Sequence, residues 1–222
     1  MSEARLSRRI AAVVAVVLSI GRHASSAAVA KQQPLFAPKE NECVYAAPQT
    51  ELNYADYKGT WYEIGRIQTP GGAFFQKDCV CTTLNVSFPD PNSSNGTVYN
   101  NCRFLKPDGR MVSLKSEITN MGKDGQWVST FDLNKGTHVN YTIIEHGNDT
   151  DTGEEYSVEY DCGSQPIAGT NYCIHILARS PTMTDALRER LIKNAEALGI
   201  NTKQLPFVFT NQTSSCEYEY HR

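Results

Sequence analysis

From residue 57 to residue 180 the chain carries short runs in which apolar and polar positions tend to alternate, each run closed by a cluster of turn residues. The period of two predicts strands over 60–68, 79–88, 97–105, 111–119, 126–133, 138–145, 155–162 and 172–179. Pro70-Gly71-Gly72, Pro107-Asp108-Gly109, Lys123-Asp124-Gly125 and Asn134-Lys135-Gly136 supply the left-handed or pre-bent backbone that tight turns need. Eight evenly spaced strands predict an all-β fold, either an antiparallel up-and-down barrel or a sandwich. The period changes after Pro181. Leu187, Leu191, Ala195 and Leu198 recur at helical steps, with Arg188, Glu189, Arg190, Lys193 and Glu196 on the other face. Thr182 or Thr184 supplies the cap and Gly199 the stop. One C-terminal α-helix is therefore expected to pack on the outside of the strands. Phe207-Val208-Phe209 can add a last short strand.

The N-terminus breaks this texture. Arg5, Arg8 and Arg9 precede an apolar run from Ile10 to Ile20, and Ala28-Val29-Ala30 follows, the layout of a secretory signal peptide over 1–30. The run is about half of the ~20 residues needed to span a bilayer. Residues 31–56 read as an irregular N-terminal arm holding Cys43, and 57–222 as the one domain. The segment 1–30 carries Arg5, Arg8, Arg9 and Arg22 against Glu3, so its removal moves the formal net charge from −3 to −6. A mildly acidic chain without a Lys/Arg block argues against nucleic acid as a partner. All seven cysteines fall after residue 30, which reads as a disulfide framework with one thiol left over. Six glycosylation sequons, at Asn85, Asn92, Asn95, Asn140, Asn148 and Asn211, point to the same compartment.

Gly59-Thr60-Trp61-Tyr62-Glu63-Ile64 is followed by Phe74-Phe75-Gln76 and then a cysteine. Gly-Thr-Val-Tyr-Asn-Asn-Cys-Arg occupies 96–103, and Ile176-Leu177-Ala178-Arg179-Ser180-Pro181 precedes the helix. In this order, spread from about 57 to 216, the motifs resemble lipocalins of the apolipoprotein D and bacterial lipocalin group. The resemblance implies an eight-stranded antiparallel up-and-down lipocalin (calycin) β-barrel with one α-helix outside. It gives Gly59, Trp61 and Arg179 a structural role. The indole closes the barrel base and the guanidinium lies across it, a contact worth ~0.5–2 kcal/mol. It further implies the pairings Cys43–Cys162, Cys81–Cys216 and Cys79–Cys102, leaving Cys173. A Cys162–Cys173 bridge, as in plasma retinol-binding proteins, stands as the alternative. The turn over 147–153 is longer than the family pattern and lacks its tyrosine, so its contacts are not carried over.

A barrel of eight strands holds one small ligand, and side chains alternate between inside and outside. With the sequon residue Asn140 facing out, Val139, Tyr141 and Ile143 face in. With Asn85 out, Leu84, Val86 and Phe88 face in, and Cys79 and Cys81 face out. Val112, Leu114 and Ile118 share a face, as do Trp127, Phe131 and Leu133. The expected ligand-binding set is Leu84, Val86, Leu114, Trp127, Phe131, Val139, Tyr141 and Ile143, with Tyr141 and Tyr99 as hydrogen-bond donors. The third strand gives no clean register, because Val98 and Phe104 share a parity with Asn100.

Catalytic chemistry is sparse. Cys79-x-Cys81 has neither zinc-pair nor redox spacing. Cys173 has no evident base, and His138, His146 and His175 are lone strand histidines rather than haem or metal ligands. No catalytic residue, metal or cofactor is expected. The resemblance implies a secreted carrier of a small hydrophobic ligand: fatty acid, lysolipid, sterol, retinoid or tetrapyrrole. The alternatives are a barrel enzyme, isomerase or de-epoxidase-like, and an extracellular interaction or effector protein making receptor or carrier-particle contact.

Overall fold

A computed structural model describes residues 43–49, 52–90, 93–121, 125–132, 138–165 and 169–218, with the side chains of 164–165 excepted. The expected signal peptide, much of the arm, Asn92 and Leu133 lie outside the described residues. The strands are β1 (Gly59–Gln68), β2 (Cys79–Ser87), β3 (Gly96–Phe104), β4 (Met111–Asn120), β5 (Gln126–Phe131), β6 (His138–Asn148), β7 (Glu155–Gln165) and β8 (Gly169–Ala178). Each pairs antiparallel with its neighbour, and β1 pairs with both β8 and β2, so the sheet closes. The fold is the expected eight-stranded antiparallel barrel with a helix packed outside. A two-residue strand, β9 (Val208–Phe209), adds to β1. Gly65 permits that approach, since a Cβ there would lie 2.5 Å from the Val208 carbonyl oxygen.

Three local readings are corrected. Residues 54–56, read as the end of the irregular arm, form with Tyr57 a one-turn helix, α1 (Tyr54–Tyr57), whose N-cap Asn53 accepts a 3.0 Å bond from the Ala55 amide. In the outer helix, α2 (Asp185–Ala197), Leu187, Leu191 and Ala195 are buried but Leu198 is half exposed; Ile200, beyond the terminating Gly199, fills the core instead. The third concerns Cys79. A bulge between Val80 and Thr83, with Cys81 at φ +55°, reverses the alternation of β2. Cys79 therefore pairs with Phe104 on the inward face shared by Val98 and Asn100, and only Cys81 turns out toward the tail.

The disulfides are Cys43–Cys162, Cys79–Cys102 and Cys81–Cys216, with Cys173 free and buried, so the Cys162–Cys173 alternative is not adopted. The long turn after β6 is fastened to α2. Arg190 bridges Glu145 at 3.1 Å and Asp149 at 3.2 Å, and Thr184 Oγ1 donates to Glu154 at 2.9 Å.

Two apolar cores result. One fills the closed end of the barrel around Tyr57, Trp61 and Trp127. The other lies outside the wall, where Ile64, Ile67, Val158, Tyr160, Ile174 and Ile176 meet α2. Each fully buried aliphatic chain there contributes roughly 1.5–3 kcal/mol. This second core decides the site. Above Trp61 and Leu177, which belong to the inner core, the apolar positions of β1, β7 and β8 face the helix, so the alternate, polar positions face into the barrel.

Candidate functional site

The closed end is clamped. The Arg179 guanidinium carbon lies 3.6 Å from the centroid of the Trp61 ring. Arg179 also donates to the Thr60 carbonyl (3.1 Å), the Asp56 carbonyl (2.5 Å) and the Glu155 carboxylate (3.1 Å). Trp61 Nε1 donates to the Tyr57 carbonyl at 2.9 Å, which joins α1 to the plug. Gly59 begins β1 at φ +105°, a conformation that L side chains rarely adopt.

Above the plug lies a cavity of about 160 Å³. Of the expected lining residues, Leu84, Leu114, Phe131, Val139 and Tyr141 border it. Val86, Trp127 and Ile143 instead pack with Trp61 in the closed end, one layer below. Val98, Asn100, Ser116 and Ile118 join the lining, which settles the register of β3: Asn100 is an inward polar residue. Tyr99 therefore faces out and is not a donor to a ligand. The mouth is covered by the β1–β2 loop, whose 3-10 turn Phe74–Gln76 places Phe75 and Gln76 against the cavity.

The facing wall was not anticipated. Glu159, Asp161 and His175 line the cavity, with Glu63 and Arg66 buried behind them. His175 donates from Nδ1 to Glu63 at 2.7 Å and from Nε2 to Asp161 at 3.1 Å. Arg66 donates to Glu63 at 2.5 Å, as does the Thr210 hydroxyl, and its other nitrogen donates to the Gln76 carbonyl at 2.7 Å. Burial opposes the Glu63 charge, but Arg66, His175 and Thr210 outweigh it and hold the carboxyl down at about 2. Burial likewise opposes a charged His175, yet Cys173, Asp161 and Glu63 raise it well above the ordinary imidazole value, and a carboxylate on each ring nitrogen favours the charged form. Glu159 accepts from the Tyr57 hydroxyl at Oε1, while its Oε2 has no partner, and burial pushes its carboxyl upward. The expected lining, apolar but for tyrosine hydroxyls, is thus corrected: the cavity is amphipathic, because α2 claims the apolar face of that wall.

Cys173 sits 3.8 Å from His175 Nδ1, but burial pushes its thiol up to about 11 and His175 is already held by two carboxylates. That is a neutral thiol rather than an activated nucleophile. Asp161, Cys173 and His175 present three donor atoms within 4.8 Å, the geometry of a metal group. Both imidazole nitrogens, however, are engaged by carboxylates, so a metal would have to displace an ion pair. The other two histidines are elsewhere: His138 is exposed against Thr130, and His146 edges the Tyr57 and Trp61 rings.

A closed eight-stranded barrel, plugged by Trp61 and Arg179 and holding an internal cavity, defines a calycin-type fold. The lipocalin-like domain family matches residues 52–210, and the chain belongs to that family. A putative lipocalin of Acanthamoeba polyphaga mimivirus is 41% identical over 66 residues, covering 30% of this chain and 34% of that protein, about a third of its length. Among solved structures, insecticyanin from the tobacco hornworm Manduca sexta superposes with TM-score 0.58 at 17% identity, covering 80% of this chain and 90% of that one. Lobster apocrustacyanin A1 gives 0.52 at 21% identity, covering 79% and 91%. These likenesses show the fold.

Proposed function

We propose that this chain is a secreted lipocalin that binds and transports a small, largely apolar molecule in its barrel and catalyses no reaction. In this reading residues 1–30 are a signal peptide, 31–56 an arm stapled by Cys43, and 57–222 the binding domain. The observation that carries it is the cavity itself: one end plugged, the other covered by a loop, and one wall made of Leu84, Val98, Leu114 and Ile118. Burying a ligand's apolar surface there contributes roughly 25 cal/mol per Å² before ordering costs.

Size narrows the cargo. About 160 Å³ is below the ~300–1,000 Å³ of drug-sized pockets. A compact molecule fits this form, whereas a sterol, retinoid or tetrapyrrole requires the mouth loop to move. Three disulfides support an oxidising compartment, and no helix among the described residues is long and apolar enough to cross a membrane. Asn95, Asn140, Asn148 and Asn211 are exposed and open to a glycan; Asn85 is half-buried and bonded to Thr60.

Native mass spectrometry of the secreted protein should show a bound small molecule, lost on denaturation. Titration with a panel of lipophiles should change tryptophan fluorescence, because Trp127 lies 5.9 Å from Tyr141 of the lining. No adduct and no fluorescence response to any member would overturn the reading.

A further inference from the structure

We propose that the cavity selects a compact cationic amphiphile, a primary amine on a small apolar or aromatic body, with Glu159 as the counter-ion of its ammonium group. The inference rests on the barrel interior being a ligand site. It starts from an imbalance of charge. Around the polar wall stand three carboxylates, Glu63, Glu159 and Asp161, against two cations, Arg66 and His175. Glu63 is satisfied by Arg66 and His175, and Asp161 by His175. Among the described residues Glu159 makes no ion pair of its own, although it is fully buried: the charge facing it is His175, opposite it across β7 and β8, whose two ring nitrogens are already held by Glu63 and Asp161. Among the described residues its one well-formed hydrogen bond is from the Tyr57 hydroxyl to Oε1, and Oε2 is left bare.

A buried carboxylate without a counter-charge is costly, and a native structure that keeps one has a reason for it. Tyr141 and Gln76 sharpen the case. The Tyr141 hydroxyl lies beside Glu159 and Tyr57 without a well-formed bond to either, and both polar atoms of the Gln76 side chain, on the mouth loop, are unpartnered. Both residues line the same cavity as Glu159. An ammonium offers three donors and no acceptor, which suits a bare carboxylate oxygen beside the Tyr141 hydroxyl in a cavity that also holds the unpartnered Gln76 amide oxygen. The opposite wall, Leu84, Val98, Leu114 and Ile118 with Asn100 and Ser116 among them, receives the body of the ligand. An anionic ligand meets the unpaired Glu159 and is repelled; a neutral alcohol offers a single donor and no charge. The volume admits a molecule of about the size of one substituted ring, near the ~150 Å³ cavity that accepts benzene.

The test uses the full secreted protein and three probes of one shape: 2-phenylethylamine, 2-phenylethanol and phenylacetate, titrated calorimetrically at pH 7.5. The amine is expected to bind at least about tenfold more tightly than the alcohol, the range of a charge-assisted over a neutral hydrogen bond, with the acid weakest. Glu159→Gln keeps the acceptor for Tyr57 and should erase the preference; Glu159→Asp should retain part of it. Equal or tighter binding of the alcohol or acid to the unmodified protein overturns this inference and leaves the binding reading intact. Failure of all three probes and of the lipophile panel overturns both. The unmodified protein's ranking decides the matter by itself should a variant fail to fold.

Discussion

The guanidinium of Arg179 lies flat against the indole of Trp61, 3.6 Å from its centroid, while three of its hydrogen bonds reach Thr60, Asp56 and Glu155. One side chain from the end of β8 therefore holds the start of β1, the helix before it and the start of β7. Arg179→Ala is expected to cost about 1–3 kcal/mol from the lost cation–π contact and charge-assisted bonds. At roughly 2–4 °C per kcal/mol for a chain of this size, calorimetry should see the melting temperature drop by several degrees. Lysine keeps the charge but not the planar fork, so Arg179→Lys should fall between the two. An alanine variant that melts with the parent would remove the clamp from the account.

Glu159 carries the opposite sign of effect. Burial holds its carboxyl above the ordinary value of 4.5, so the folded protein binds that proton more tightly than the unfolded chain does. Its contribution is full below about pH 4.5 and is lost as the pH rises through the folded value. Glu159→Gln should thus be more stable than the parent in urea at pH 7.5 and no more stable at pH 4. A loss of stability at pH 7.5 would contradict the burial argument. Stability gained where binding is lost is the pattern expected of a functional charge.

The ion network behind the wall gives stability a limit on each side. Glu63 is held at about 2, below its ordinary 4.5, so its contribution is present above pH 4.5 and fades as the pH falls toward 2. His175 is raised well above 6.5, so its contribution is present below that value and is lost as the pH climbs through the folded one. Urea midpoints measured from pH 2 to pH 10 should fall at both ends. Glu63→Gln should flatten the acid limb; a variant whose acid limb matches the parent's would place that limb elsewhere.

The cysteines make a sharper prediction. Cys81–Cys216 closes 135 residues and Cys79–Cys102 only 23, so by chain entropy the former stabilises by about 1–2 kcal/mol more. Paired Cys→Ala variants in denaturant should rank that way. Thiol titration should find Cys173 unreactive in the native protein, where it is buried with its thiol near 11, and one reactive thiol per chain after unfolding.

The strands, the outer helix and the Trp61–Arg179 plug were legible because alternation, turn residues and motif order all agree across the chain. The polar wall was not, because alternation says which residues share a face and not which face is inside. Val158, Tyr160 and Cys162 alternate with Ser157, Glu159 and Asp161, and the apolar set was free to point either way. The missing signal was present in α2: a stripe of Leu187, Leu191 and Ala195 requires an apolar partner on the outer surface of some strands. The inward turn of Cys79 was hidden for another reason, since a bulge at Cys81 shifts parity without leaving a glycine to mark it. Helix α1 is too short for periodicity to register, and Asn53 with Asp56 was its one trace.

The bond from Arg66 to the Gln76 carbonyl ties the doorway to the ion network. Lifting the 3-10 turn strands Nη2 of a guanidinium whose Nη1 is anchored, through Glu63, to His175 and Asp161. Displacing that turn and breaking into the ion network are thus one event, and with its carboxyl held at about 2 Glu63 keeps the charge that anchors Arg66 throughout the neutral range.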